Sequence, residues 1–340
     1  MSVSVSIVIP TWNGRRLLEQ FLPSITAAAS QYSRQPHRAS EILIVDDGST
    51  DDTAEWIASQ AANSTVPIRL VRHEDNLGFG AAANRGLRDA AFPLVWLLNN
   101  DVEVDDEAMA SLAAPFEEGD ATLFAVHSRM IDLTTDREVG TGKMGGFGRG
   151  FLRVHRSYVP GPGARGPFWS MFATGGSAMF DRARFLELGG FDPLFAPFYF
   201  EDVELSYRAW KRGFTVRYQP QSLVRHRFSS TINVLGQRHV ERISQRNRLL
   251  FQWMHVHDRR YFASHLFWLF VLLVSAPLTL KHRFIGAFSD AVRRLPMVRT
   301  RRREERARAV RSDRDVLRMF TEMQAKGEIR AYDDPRELEE

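Results

Sequence analysis

Three acidic clusters and one histidine are the side chains of this 340-residue chain best suited to chemistry. The first cluster is Asp46-Asp47-Gly48-Ser49. A carboxylate at a strand end can accept a hydrogen bond from the imide N–H of uracil or thymine, or hold a ribose hydroxyl. Gly48 lets the backbone come close. The same residues also suit a helix cap, and the cluster alone leaves both readings open. The second is Asn99-Asn100-Asp101-Val102-Glu103. A leaving pyrophosphate develops negative charge, which a hard divalent cation held by one or two carboxylates neutralises. The third is Phe198-Tyr199-Phe200-Glu201-Asp202-Val203-Glu204. Acids set among aromatics lose solvent, which raises a carboxyl's pKa and improves it as a base, whereas a helix N-terminus at Asp202 pulls the other way. An ordinary acidic first helical turn is the plain alternative. His226 closes the run Leu223-Val224-Arg225 and suits either packing or a metal.

Other chemistries are excluded. The chain has no cysteine, so it has no disulfide framework, thiolate zinc site or cysteine nucleophile, which fits a reducing cytoplasm. Neither a Gly-x-Ser-x-Gly elbow nor a Gly-x-x-x-x-Gly-Lys-Ser/Thr phosphate loop occurs. Asn76-Leu77-Gly78-Phe79-Gly80 lacks the third glycine and the strand context of a dinucleotide turn.

The elements that must position these residues alternate between strand and helix. Val5 to Pro10, Glu41 to Val45, Ile68 to Val71 and Pro93 to Leu98 are short apolar runs suited to buried parallel strands. Helices are expected from Arg15 to about Ser30, from the Ser49–Asp52 oxygens onward, from Ala81 to Ala90 and from about Asp202 to Arg212. Such alternation predicts a mostly parallel sheet flanked by helices, and the first two acidic clusters then fall at the carboxyl ends of strands, where open α/β sheets bind ligands. Gly140 to Gly166, rich in Gly, Arg and Pro, reads as a long mobile loop serving as a lid. Val3 to Pro10 lacks a basic leader and a long apolar core, so the catalytic part is expected to stay in the cytoplasm.

After Ser229 the chain turns helical and basic with no sign of a second sheet, giving two expected parts: a catalytic domain over 1–228 and a helical region over 229–340. The net charge of +4 hides a run of Arg293, Arg294, Arg299, Arg301, Arg302, Arg303, Arg306, Arg308 and Arg311, which suggests an anionic partner. No nucleic-acid recognition module accompanies it. Tyr261 to Leu280 has no Lys, Arg, Asp or Glu, and it meets the ~20 residues needed to cross a bilayer. Spanning would export the arginine run against the positive-inside tendency. A peripheral or re-entrant helix on an anionic membrane surface, at the cytoplasmic face of the inner membrane, is therefore expected.

In order and number, the motifs resemble glycosyltransferase family 2. They run from Ile7-Val8-Ile9-Pro10-Thr11-Trp12-Asn13-Gly14 and Ile44-Val45-Asp46-Asp47-Gly48-Ser49-Thr50-Asp51 through Asn76-Leu77-Gly78-Phe79-Gly80, Ala83-Asn84-Arg85-Gly86 and Leu98-Asn99-Asn100-Asp101. Gly175-Gly176-Ser177-Ala178, Gly189-Gly190-Phe191-Asp192 and Phe200-Glu201-Asp202-Val203-Glu204-Leu205 follow. The resemblance covers roughly residues 3 to 230. It implies an α/β fold of GT-A type and an inverting sugar transfer from a nucleotide-sugar donor to a saccharide or lipid-linked acceptor. By the same resemblance, Thr11, Asp46 and Asp47 meet the base and ribose, while Asn84, Asn99 and Gly176 line the donor pocket. Asp101 and His226 are implied ligands of Mg²⁺ or Mn²⁺, and Asp202, beside Glu201, is the implied base. Asn99 replaces the first acid of the family's Asp-x-Asp motif, as in a rhamnosyltransferase-like branch, which points to dTDP-rhamnose or a UDP-hexose. The rival readings are a nucleotidyltransferase and a catalytically silent sugar-nucleotide-binding membrane scaffold.

Overall fold

The computed structural model describes residues 3–227, 236–276 and 282–333. Its first half is β1 (Val5–Thr11), α1 (Arg15–Ser33), β2 (Ser40–Asp47), α2 (Thr53–Asn63), β3 (Ile68–His73), α3 (Phe79–Asp89) and β4 (Leu94–Leu98). Strands β1 and β2 are buried at every position, as their unbroken apolar runs require of a sheet covered on both faces. Helix α1 buries Leu18, Phe21, Leu22, Ile25, Ala28, Ala29 and Tyr32, one stripe at helical spacing. The four strands lie parallel in the order β3-β2-β1-β4, and Thr11 pairs with Asp46 at the carboxyl edge.

Beyond β4 the sheet becomes mixed. Here lie β5 (Val102–Val104), α4 (Ala108–Glu117), β6 (Leu123–Asp132), β7 (Glu138–Gly140), β8 (Gly142–Gly148), β9 (Phe151–Pro160), β10 (Phe168–Trp169), β11 (Ser177–Asp181), α5 (Arg182–Leu188), α6 (Glu201–Lys211) and β12 (Thr215–His226). Strand β11 threads between β4 and β6, antiparallel to both, and β12 runs parallel to β6.

The expected loop over Gly140–Gly166 is instead largely a hairpin. Strands β8 and β9 pair antiparallel from Gly142↔Tyr158 to Gly148↔Phe151. The glycines of β8 hid the alternation and suggested mobility, yet they mark close packing. A Cβ on Gly142 would lie 2.0 Å from the Tyr158 ring, and one on Gly145 would lie 2.8 Å from Met171 Sδ.

The C-terminal region is α7 (Gln237–His255), α8 (Arg259–Ser275), α9 (His282–Val292), α10 (Leu295–Arg308), α11 (Asp313–Ala325) and β13 (Ile329–Tyr332). A second sheet does exist: β13 adds to β9, with Ile329 opposite Pro160. Leu249, Leu250, Phe251 and Met254 of α7 and Val316 and Phe320 of α11 share one apolar core with Phe124, Phe180 and Trp210. Buried pairs Lys211–Asp313 (2.7 Å) and Arg212–Glu305 (2.6 Å) tie α6 to α11 and α10. The expected boundary at 228/229 falls outside the described residues.

Among the described residues no helix is long and apolar enough to cross a membrane. Helix α8 carries the apolar stretch as far as Ser275, and 277–281 lie outside the description. Part of the arginine run turns inward. Arg302 donates to the carbonyls of Trp253 and Val256, Arg311 to that of Phe214, and Arg301 pairs with Asp192. Arg299, Arg303, Arg306 and Arg308 stay exposed.

Candidate active site

Pairing of β12 with β5 sets His226 opposite Val102 and so brings it beside Asp101. His226 Nε2 lies 2.8 Å from Asp101 Oδ1 and 3.3 Å from Asn99 Nδ2. Both Asp101 and His226 are buried. The sheet has thus joined two residues far apart in sequence into one corner with a carboxylate, an imidazole and an amide. Among the described residues, no group of three or more His, Cys, Asp or Glu side chains converges as a metal cage.

A carboxyl pair, Glu201 and Asp202, opens α6. Tyr199 and Phe200 before it both take left-handed backbone angles, φ 67° and 74°, which turn the chain sharply into the helix. Asp202 Oδ2 accepts from Gly175 N at 3.2 Å and Oδ1 from Val203 N at 2.8 Å. Burial raises the pKa of Asp202 and outweighs these donors. Burial, and then the neighbouring Asp202, push Glu201 up to about 8. Glu201 Oε2 makes no hydrogen bond among the described residues. The pair therefore retains protons at a pH where exposed carboxyls have lost them.

Two adjacent glycines join these halves. Gly175 N binds Asp202, while Gly176 O accepts from Asn99 N at 3.1 Å. A Cβ on Gly176 would stand 3.2 Å from Asn99 Nδ2, so the lack of a side chain keeps this junction open.

At the edge of β1 and β2, Thr11 Oγ1 accepts from Asn100 Nδ2 at 2.8 Å. Asp46 is fully buried, accepts from Ser49 N at 3.0 Å and lies 3.3 Å from Arg72 Nε. Asp47 accepts from Leu77 N (3.1 Å) and Gly78 N (2.7 Å) and contacts His73 Nδ1 (2.7 Å), holding the Asn76–Gly78 loop at this edge. Gly48, at φ 74°, packs so tightly that a Cβ would meet the Asp75 backbone at 2.6 Å.

Asn84 has a structural partner that the sequence reading did not name. Both ends of its amide are engaged by one residue, Nδ2 donating to Phe191 O (2.9 Å) and Oδ1 accepting from Phe191 N (2.8 Å). It clamps the chain after Gly189-Gly190.

The sequence reading also missed several residues. Trp12 is 50% exposed directly after β1, an aromatic face left open at the carboxyl edge. Asn247, fully buried in α7, donates through Nδ2 to the carbonyls of Phe195 (2.7 Å), Phe198 (3.1 Å) and Tyr199 (2.8 Å). Arg246 adds a bond to Ala196 O at 2.6 Å. A helix from the C-terminal region thereby holds the strained turn that presents Glu201 and Asp202. The available signal was a polar residue on the stripe of Val240, Ile243, Leu250 and Met254.

A sheet that delivers acidic loops to one edge, closed by an antiparallel half that carries a carboxyl pair, defines the GT-A class of α/β fold. Solved structures share it. GalNAc-T7 with UDP, GalNAc and Mn²⁺ aligns at TM-score 0.58 and 20% identity, covering 77% of this chain and 50% of that one. The mannosyltransferase PcManGT from Pyrobaculum calidifontis, with GDP-Man and Mn²⁺, aligns at 0.54 and 17%, covering 96% and 85%. S. aureus TarS 1-349 with UDP-GlcNAc aligns at 0.53 and 17%, covering 96% and 93%.

The sequence then specifies the family. Residues 6–189 match the pattern of glycosyl transferase family 2, and residues 155–292 that of glycosyl transferase family group 2. The chain belongs to glycosyl transferase family 2. Among curated relatives, it is 31% identical over 167 residues to undecaprenyl-phosphate 4-deoxy-4-formamido-L-arabinose transferase of Yersinia enterocolitica, covering 46% of this chain and 49% of the relative. With the enzyme of that name from Pseudomonas savastanoi pv. phaseolicola it shares 35% over 128 residues, 38% and 37% of the two chains. The chain thus matches about half the length of the first of these relatives and less of the second.

Proposed function

We propose that this chain transfers a sugar, with inversion, from a nucleoside-diphosphate sugar to a hydroxyl of a saccharide or lipid-linked acceptor in cell-surface polysaccharide synthesis. The observation that carries the reading is the Gly175–Gly176 junction, which sets the Asp101–His226 corner and the Glu201–Asp202 pair on either side of one open backbone segment. The base and ribose of a dTDP-rhamnose or UDP-hexose donor lie along Thr11, Asp46 and Asp47, with the base stacked on Trp12. Asp202 takes the proton of the acceptor hydroxyl as its oxygen bonds to the anomeric carbon, and the bond from that carbon to the diphosphate breaks.

The Asp101–His226 corner fits a divalent cation. Asp101 and His226 would hold it through a carboxylate and an imidazole, and Asn99, its amide flipped, would offer an oxygen beside them. When bound, the ion would neutralise charge on the departing diphosphate.

The test is nucleoside diphosphate release from a panel of nucleotide sugars, with Mn²⁺ or Mg²⁺ and with EDTA. Release from one donor is expected to stop with EDTA and to fall about a hundredfold or more in Asp101→Ala, the equivalent of losing several kcal/mol of charge stabilisation. Turnover that survives both treatments would sink the metal-assisted reading.

The reading includes attachment to an anionic membrane surface at the cytoplasmic face. Leu266, Phe267, Phe270 and Val274 are 52%, 61%, 66% and 56% exposed along one side of α8, while His265 and Leu269 are buried on the other. An open apolar stripe of this kind, in a chain with exposed Arg299, Arg303 and Arg306, suits an interfacial helix. In vesicle flotation the protein is expected to rise with phosphatidylglycerol vesicles. The Phe267→Ser/Phe270→Ser variant should bind about a hundredfold more weakly, since each ring carries ~1.5–3 kcal/mol of burial. Undiminished flotation of the variant would remove α8 as the contact.

A further inference from the structure

The hairpin carries a row of cations that the proposed transfer does not use. The pairing register shifts between Arg153 and Arg156, where Arg153 and His155 are both exposed on β9, and Lys143 pairs with Ser157 across the hairpin. Lys143 Nζ donates to Ser157 Oγ at 2.9 Å. The Arg153 guanidinium folds over Gly148, where a Cβ would meet it at 3.2 Å. Arg248 of α7 reaches the hairpin, its guanidinium 4.5 Å above the Phe151 ring. His155 stands edge-on between Phe172 (5.3 Å) and Phe200 (5.7 Å), and Phe200 directly precedes the Glu201–Asp202 pair.

Among the described residues no carboxylate pairs with Lys143, Arg153 or Arg248, whereas Arg156 of β9 meets Asp333 at 3.3 Å. Burial, then Lys143 and Arg248, pulls His155 down to about 4, and burial, then Arg153, lowers Arg248. Burial takes Lys143 down to about 8, so most of it remains an ammonium at neutral pH. Gln252 of α7 fixes the row by gripping both the N–H (3.0 Å) and the C=O (3.1 Å) of Leu152. Arg248 lies one turn earlier on that helix, and Asn247 beside it holds the turn before Glu201. Positive charge that meets no paired carboxylate among the described residues attracts an anion.

We propose that Lys143, Arg153, His155 and Arg248 form a phosphate-binding subsite that receives the phosphate or diphosphate group of the acceptor. Naming the acceptor as the source rests on the proposed sugar transfer; the subsite itself rests on the hairpin and α7. Neutral His155 contributes an N–H donor, the three cations contribute charge-assisted bonds, and the row ends at Phe200, beside the proposed base.

The probe is inorganic pyrophosphate, titrated calorimetrically into the full chain with EDTA present, with and without saturating nucleoside diphosphate. Wild type is expected to bind pyrophosphate in both conditions. Lys143→Gln/Arg153→Gln should bind it about tenfold or more weakly, the loss of charge-assisted bonds, and Arg156→Gln should match wild type. Arg248→Gln serves as a second variant, and an unchanged melting temperature shows that each variant is folded. Farnesyl diphosphate identifies the source: binding about tenfold tighter than pyrophosphate assigns the subsite to a lipid-linked acceptor, and equal binding assigns it to a water-soluble phosphorylated one. Absence of pyrophosphate binding, or equal binding by wild type and the variants, overturns the subsite. If nucleoside diphosphate fails to bind in a separate titration with Mn²⁺ while the variants still weaken pyrophosphate, the subsite stands and the transferase reading falls. Intact sugar transfer with pyrophosphate binding unaffected by the variants gives the reverse.

Discussion

Asp202→Asn is expected to lower turnover by ~10²–10⁴-fold, the usual contribution of a general base, while leaving donor binding unchanged. The substitution keeps the shape of the side chain and an oxygen able to accept from Gly175 N, so the Gly175–Gly176 junction should persist. What it removes is the only function proposed for the group, acceptance of the acceptor proton. The pH profile supplies an independent readout. Burial raises the pKa of Asp202, so the acid limb of kcat/KM should lie above the range of ordinary aspartates, activity being lost as pH falls through the raised value. Donor affinity by calorimetry and steady-state rates between pH 4 and 9 would check both, on a scale set by the carboxylate and histidine reference range of ~4 to ~6.5. Turnover within about tenfold of wild type would exclude Asp202 as the base.

Glu204→Gln is expected to cost ~3–5 kcal/mol of stability, because it breaks a buried charge network from one side. Glu204 is fully buried one helical step beyond the carboxyl pair. It accepts from Arg208 Nη2 (2.6 Å) and Nε (3.0 Å) and meets His255 Nε2 at 2.8 Å. Burial alone would raise its pKa, but the Arg208 guanidinium and His255 outweigh it and hold the carboxyl down at about 2. A depressed folded-state value means that the network's stability is fully present above the unfolded carboxyl value near ~4.3 and is lost as pH falls toward about 2. In Glu204→Gln, Arg208 keeps its bond to Gly190 O (2.8 Å) but stays buried as an uncompensated charge. Denaturant unfolding at neutral pH measures the loss. Adding Arg208→Met should restore much of it, since an apolar pair tolerates burial where a lone charge does not. A loss below about 1 kcal/mol in the single variant would place Glu204 with ordinary surface pairs.

These two acids, two positions apart on α6, show where sequence and structure divide. The run Phe198 to Glu204 announced acids among aromatics at a helix start, and Glu201–Lys211 is that helix. Nothing in the run distinguished Asp202, facing Gly175, from Glu204, facing Arg208 and His255. That assignment depends on which neighbours the folded chain brings to each side of the helix.

Local chemistry by itself determined the parallel half of the sheet. Unbroken apolar runs, turn residues and helical stripes are short-range signals, and β1 to β4 with α1 to α3 appear where those signals lie. It likewise determined that acidic residues end the strands, because strand ends and cap chemistry are local. The hairpin β8–β9 was invisible, since Gly142 and Gly145 are explained only by Tyr158, Met171 and Leu317, which fold against them. The partner of Asn84 was illegible for a related reason: an amide's partner is settled by the backbone it meets, here Phe191, 107 residues away. The same holds for Asp101 with His226, for the cations of β9 and α7, and for Asn247 beneath the turn before Glu201. Each of these is a contact between distant segments, and such contacts come into being only when the apolar core closes and sets the elements against one another.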